Sequence, residues 1–117
     1  MRPQSLTATV VEHLPQRGRM YLVRDVFSCK PGRAKELAVR LKRLLPNMET
    51  NDRFVNGKVM VDTVANYWTV VLEAEVESLA DFEKHMAEFS QRPEGREGMS
   101  GYLDTIEGGY RELYRII

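Results

Sequence analysis

The chain has 117 residues, the size of one ordinary domain, and is long enough to bury a single core without disulfides or metals. At 43% hydrophobic and 29% charged residues, its composition is globular rather than disordered. Its 17 Lys and Arg balance 17 Asp and Glu, so little net field remains to attract a nucleic-acid backbone.

Residues 6–14 are β-branched and roughly alternating, which predicts a strand, and Pro15 to Arg19 reads as a turn. Residues 1–19 are thus expected to be an extension, with the domain proper at 20–117. Met20 to Cys29 is the first well-patterned strand, with Tyr21, Val23, Asp25, Phe27 and Cys29 on one face and Leu22, Arg24 and Val26 on the other. Lys30-Pro31-Gly32 ends it. A helix follows over about 32–45, with a stripe of Ala34, Leu37, Leu41 and Leu44, and Pro46 is expected to stop it.

A second strand is expected over 53–64, with a bulge at Gly57, and Ala65-Asn66 is short enough to make a hairpin. The third strand, 67–76, alternates most cleanly. Trp68, Val70, Leu72, Ala74 and Val76 share one face, opposite Tyr67, Thr69, Val71, Glu73 and Glu75. Ser78 is an N-cap for a helix over 79–91 whose stripe is Leu79, Phe82, Met86 and Phe89. Pro93 is expected to end it. One helical turn near 99–106 and a last strand over 110–117 complete the chain.

From Met20 the order is strand, helix, strand, strand, helix, strand. That is the ferredoxin-like α+β arrangement, with two helices on one face of a four-stranded antiparallel sheet. The other face must be polar or covered. Leu22, Val26, Thr69 and Val71 fall on it, and each apolar side chain left wet forgoes roughly 1.5–3 kcal/mol. A homodimer through the sheet faces, closing an α/β barrel, is the simplest cover. The N-terminal strand is expected to reach across to the partner.

Lys30 to Arg43 is basic and Glu73 to Glu88 acidic. The expected meaning is two helix rims that attract each other, with an anion-recruiting patch as the alternative. The single cysteine, Cys29, excludes an internal disulfide and favours a reducing, cytoplasmic setting. No apolar run is long enough to span a membrane, and residues 1–19 lack the apolar stretch of a signal peptide. His13, His85 and Cys29 make no metal spacing, so no metal or cofactor is expected. The glycine-rich segment 94–101 lacks the Gly-Lys-Ser/Thr ending of a phosphate loop. RNA-recognition motifs share this strand order, but Tyr67 to Ala74 lacks their basic-Gly-aromatic signature, so no nucleic-acid partner is expected.

The segment Val23-Arg24-Asp25-Val26-Phe27-Ser28-Cys29-Lys30-Pro31-Gly32 resembles the opening of NIPSNAP-like members of the dimeric α+β barrel superfamily. Glu77 to Met86 resembles the second helix of the same superfamily, which includes antibiotic biosynthesis monooxygenase-type domains. The resemblance covers Met20 to Ile117 and implies the fold and a pocket between sheet and helices. It departs at Asp25, where NIPSNAP-like openings carry an arginine, and at Glu75 to Glu77, where monooxygenase-type domains place a tryptophan. The asparagine of haem-degrading members is missing, so no catalytic assignment is carried over.

The pocket is expected to draw on Arg24 or Asp25, whichever faces the helices, and on Trp68, His85 and Tyr102. A buried Asp25 could act as a base, whereas Arg24 in its place would make an anion site. His85 suits proton transfer near neutrality. Trp68 could stack on a flat ligand, and Tyr102 could belong to a lid. Each also has a plain structural reading: a salt bridge for Asp25 and Arg24, a boundary histidine, a core tryptophan and a connecting loop. His85 and Asp25 are the catalytic candidates. The expected function is a homodimer that binds a small organic ligand. The alternatives are a cofactor-independent monooxygenase on an aromatic or polyketide-like substrate, and a structural dimer.

Overall fold

The computed structural model describes residues 20–64 and 67–117. The expected strand at 6–14 and the Ala65-Asn66 connection lie outside these. The elements are β1 (Tyr21–Cys29), α1 (Ala34–Asn51), β2 (Val55–Val61), β3 (Thr69–Val76), α2 (Leu79–Glu88), α3 (Pro93–Gly98) and β4 (Ile106–Arg115). A 3₁₀ turn at Phe89–Gln91 extends α2, and another at Tyr102–Thr105 precedes β4. The sheet order is β2-β3-β1-β4 with every neighbouring pair antiparallel, which is the ferredoxin-like α+β topology.

Register divides the sheet into two faces. Val23 opposes Ala74, Asp25 opposes Leu72 and Phe27 opposes Val70, so this set lies on one side. Val23, Val70, Leu72, Ala74 and Val76 join Leu37, Leu41 and Met48 of α1 in one core cluster. The helices therefore cover the face that carries Asp25. The other face carries two distinct rows across the sheet. Met60, Val71, Val26 and Tyr110 align in an apolar row, and Lys58, Glu73, Arg24 and Glu112 align in a row of alternating charge.

Three local expectations are corrected. Pro46 does not stop α1, which continues to Asn51. Ala34, Leu37, Leu41, Leu44 and Met48 are all buried at spacings of three and four, so burying Met48 carries the helix past the proline. Pro46 and Lys42 both lie on the exposed side, where water can satisfy the Lys42 carbonyl that proline leaves without a donor. In α2 the expected stripe is displaced. Leu79 and Met86 are 42% and 47% exposed, while His85 is buried between the half-buried Phe82 and Phe89. Pro93 closes the preceding segment but also opens α3 at its first turn, where its missing N–H costs nothing.

The cap and the bulge follow the sequence. Ser78 Oγ accepts a hydrogen bond from the Asp81 amide at 3.1 Å. The β2–β3 register shifts between Val55 and Lys58, and a Cβ on Gly57 would lie 2.5 Å from Leu45 Cδ1, so α1 leans on the bulge. β4 starts at Ile106, earlier than expected. Its Gly109 passes so close to β1 that a Cβ would lie 2.5 Å from the Val26 carbonyl oxygen.

Pro46→Ala restores one helix hydrogen bond and removes a poor helix former. It should stabilise the fold by about 1–3 kcal/mol in urea unfolding. A loss of stability would mean that α1 ends where the local sequence suggests.

Candidate functional site

On the helix-facing side, Asp25 of β1 stands directly opposite Arg111 of β4. Arg111 Nε donates to Asp25 Oδ1 at 2.5 Å and Nη2 donates to Oδ2 at 2.9 Å, a two-pronged pair. That pairing is what lets an acid sit between Val23 and Phe27 on a covered face. The hydrogen bond to Asp25 holds the Arg111 guanidinium above its ordinary range, against the opposing pull of burial. Its carbon lies 5.5 Å from the Phe82 ring centre, and Nη1 is turned to the thioether of Met86 at 2.7 Å.

Beside this pair is a cavity of about 290 Å³. Asp25, Arg111, His85, Ser90 and Tyr102 bring polar groups to it. Phe27, Leu41, Leu72, Phe89 and Met99 supply apolar wall. Its size is near the lower end of small-molecule sites, roughly 300–1,000 Å³, and so is its chemistry: mostly apolar with a few polar groups. A second groove, of about 630 Å³, runs along α1 beside α3. Its Lys35, Glu36, Val39 and Arg43 are exposed, and Arg40 donates to the carbonyls of Gly98 and Ser100. In that groove the Nε of Arg40 is buried without a hydrogen-bond partner, and the basic stretch of α1 is partly spent on Glu36, which pairs with both Arg33 and Arg40.

His85 enters the cavity from α2 and is held from behind. Its Nδ1 lies 2.8 Å from Oδ2 of Asp52, the residue that ends α1. Arg92 Nη1 donates to Asp52 Oδ1 at 2.8 Å and Nη2 donates to Oδ2 at 2.5 Å. Nη2 also donates to Asn47 Oδ1 at 3.0 Å. The Asp52 carboxylate is 2% exposed and His85 only 10%. Burial by itself raises the Asp52 carboxyl, but the hydrogen bonds and charges of Arg92 and His85 outweigh it and hold it below the usual carboxylate range. Phe54 meets the His85 ring edge-on at 4.9 Å, and Phe89 packs on it at 5.0 Å.

The structure thus brings Asp25, His85 and Tyr102 to one cavity. It does not bring Arg24 or Trp68 there. Arg24 is on the opposite face, 2.6 Å from Glu73 and 3.4 Å from Glu112. One residue of strand alternation separates it from the cavity. Trp68 precedes β3 at the hairpin end, is 44% exposed and is not part of the cavity wall. Asp52, Arg92 and Arg111 were missed by the sequence reading. Positions 52, 85 and 92 share no motif spacing. Arg111 had a usable signal, a basic residue on the last strand across from an acid on the first.

No protein-family model and no curated protein sequence matches the chain. Solved structures do match in fold. A NIPSNAP family protein from Agrobacterium tumefaciens superposes with a TM-score of 0.67 at 12% identity, covering 80% of this chain and 90% of its own. A NIPSNAP-like domain protein from Burkholderia xenovorans gives 0.67 at 16% identity, covering 83% and 84%. A protein from Caulobacter crescentus, provisionally named an antibiotic biosynthesis monooxygenase, gives 0.68 at 12% identity, covering 86% and 92%. At these identities the likeness establishes the ferredoxin-like α+β fold and nothing further.

The Asp52 network makes stability depend on pH in a definite direction. A carboxyl held low in the folded state stabilises fully above its unfolded pKa, and that contribution fades as pH falls through the folded value. The urea midpoint should therefore drop as pH is lowered from about 5 towards 3, and Asp52→Ala should flatten that acid limb. At neutral pH the same substitution leaves Arg92 without its counter-charge and should cost about 3–5 kcal/mol.

Proposed function

We propose that this protein is a homodimer that binds a small, largely apolar organic molecule with one polar end in the cavity between its sheet and its helices. The convergence of Arg111, His85 and Tyr102 on a mostly apolar hollow is the observation that carries this reading. Asp25 serves there as the partner that keeps Arg111 in place. In the apolar row of Met60, Val71, Val26 and Tyr110, Val26 and Val71 are already buried and Tyr110 is 61% exposed, so it is the Tyr110 end that supports the pairing of two sheet faces. The neighbouring row of Lys58, Glu73, Arg24 and Glu112 has the alternation that a twofold partner could match.

A second reading is turnover of a flat phenolic or polyketide-like substrate without a cofactor. The Asp52-backed His85 favours it, because it supplies a proton-accepting group inside the cavity. The name of the Caulobacter crescentus neighbour points the same way.

Two measurements check the proposal. In a thermal-shift panel of planar phenols and aromatic acids, at least one class should raise the Tm of the wild type and leave Ser90→Trp unmoved. Ser90 is an exposed residue of the cavity wall, so an indole there should fill the space without unfolding the core. By light scattering the wild type should run at twice the mass of one chain, and Met60→Lys with Tyr110→Lys should run at one. A panel with no shift in any class rules out the ligand, and a wild-type monomer rules out the dimer.

A further inference from the structure

The Asp52 carboxylate can only accept hydrogen bonds, and Arg92 fixes both of its oxygens. His85 Nδ1, at 2.8 Å, must therefore carry the proton that lies between them. The neutral ring is then left with a bare Nε2 on its opposite edge, and His85 forms part of the cavity wall. The ring cannot easily turn to hide that edge, because Phe54 and Phe89 pack against it on two sides. None of this is needed to fill space. An apolar side chain of similar volume at 85 would fill the same space and leave Asp52 paired with Arg92 alone.

Arg111, on the same cavity wall, supplies a complementary group. Two of the guanidinium nitrogens of Arg111 are held by Asp25, while Nη1 meets the thioether of Met86 at an exposed position. Sulfur is a weak acceptor, and Met86 is 47% exposed, so it is free to move. A ligand oxygen with negative charge would be a far better partner for that donor. Arg111 and His85 also share the wall of a narrow cleft with Phe82 and Phe54. The charged and titratable groups around His85 are Asp52 from the end of α1, Arg92 from the segment after α2, Asp25 and Arg111 from the sheet, and Tyr102 before β4.

Resting on the cavity reading above, we propose that Asp52 and Arg92 are positioning residues that present His85 Nε2 as a proton acceptor, and that the ligand is a weak organic acid, such as a phenol or enol, bound as its anion beside Arg111. The proton leaves the ligand hydroxyl for Nε2, the O–H electron pair stays on the oxygen, and the resulting imidazolium keeps its Nδ1–H on Asp52. The oxyanion replaces Met86 Sδ at Arg111 Nη1. No oxidant, reductant or metal takes part in this step.

4-Nitrophenol is the test probe, because its anion absorbs near the visible edge and its neutral form does not. About one pH unit below its solution pKa, roughly a tenth of the free probe is ionised. Bound to the wild type, more than half should be. Asp52→Asn should still bind but lower the ionised share of bound probe several-fold. Probe that binds wild type in its neutral form overturns the proposal and leaves the cavity reading standing. So does probe that fails to bind while other members of the thermal-shift panel do. A second measurement needs neither ligand nor variant. The ¹⁵N correlation spectrum of neutral His85 should show a protonated Nδ1 and a bare Nε2, and the reverse tautomer would overturn the proposal.

Discussion

A buried carboxylate must be paired, and the arrangement around Asp52 follows from that requirement. Asp52 ends α1, His85 projects from α2, and Arg92 stands just before α3, so one side chain ties three helical segments together. The tie sets the rotation of α2. With His85 drawn inward to Asp52, Met86 turns toward solvent and toward Arg111, although by hydrophobicity alone Met86 would be the buried residue of the pair. The tie also explains why α1 runs through Pro46. The helix must reach Met48 and Asp52 for the core to close, and burial of Met48 together with a satisfied ion pair outweighs one lost backbone hydrogen bond.

The sheet imposes the second constraint. Alternation on β1 puts Asp25 and Arg24 on opposite faces, and each finds its opposite charge on a neighbouring strand, Arg111 for one and Glu73 with Glu112 for the other. The two faces therefore have different chemistry although both use charge. Around Asp25 the charge faces the helices and borders a cavity, with Arg111 still 37% exposed. Around Arg24 it lies in a row across the sheet beside an apolar row, a pattern suited to contact with another surface. A slip of one residue would exchange the two and place a net cation over the apolar core.

The likeness to NIPSNAP family and monooxygenase-type structures at 12–16% identity shows how little sequence the backbone requires. Alternating apolar positions and two amphipathic helices suffice for the topology, and many residue sets satisfy them. The polar groups in the cavity are under no such general rule. The placement of Asp52, His85, Arg92 and Arg111 rests on distances in this structure rather than on the fold.

The order of the four strands and the two longer helices, the alternation of β3, the Ser78 cap, the bulge near Gly57 and the split β-α-β topology were legible in the amino-acid sequence, because they show in patterns a few residues long, whereas α3 at Pro93–Gly98 was not. His85, Asp25 and Tyr102 could be nominated there as polar residues among apolar ones. Which of Arg24 and Asp25 faces the helices could not, since alternation defines two faces without saying which is covered. The partners of His85 and Asp25 could not be read either. Asp52 and His85 are 33 residues apart, and Asp25 and Arg111 are 86 apart, so only the closing of the sheet and the docking of α2 on the end of α1 brings them within hydrogen-bonding distance. The extension of α1 through Pro46 belongs with these. Local propensity argues against it, and the decisive term, burial of Met48 and pairing of Asp52, is supplied only by the tertiary fold.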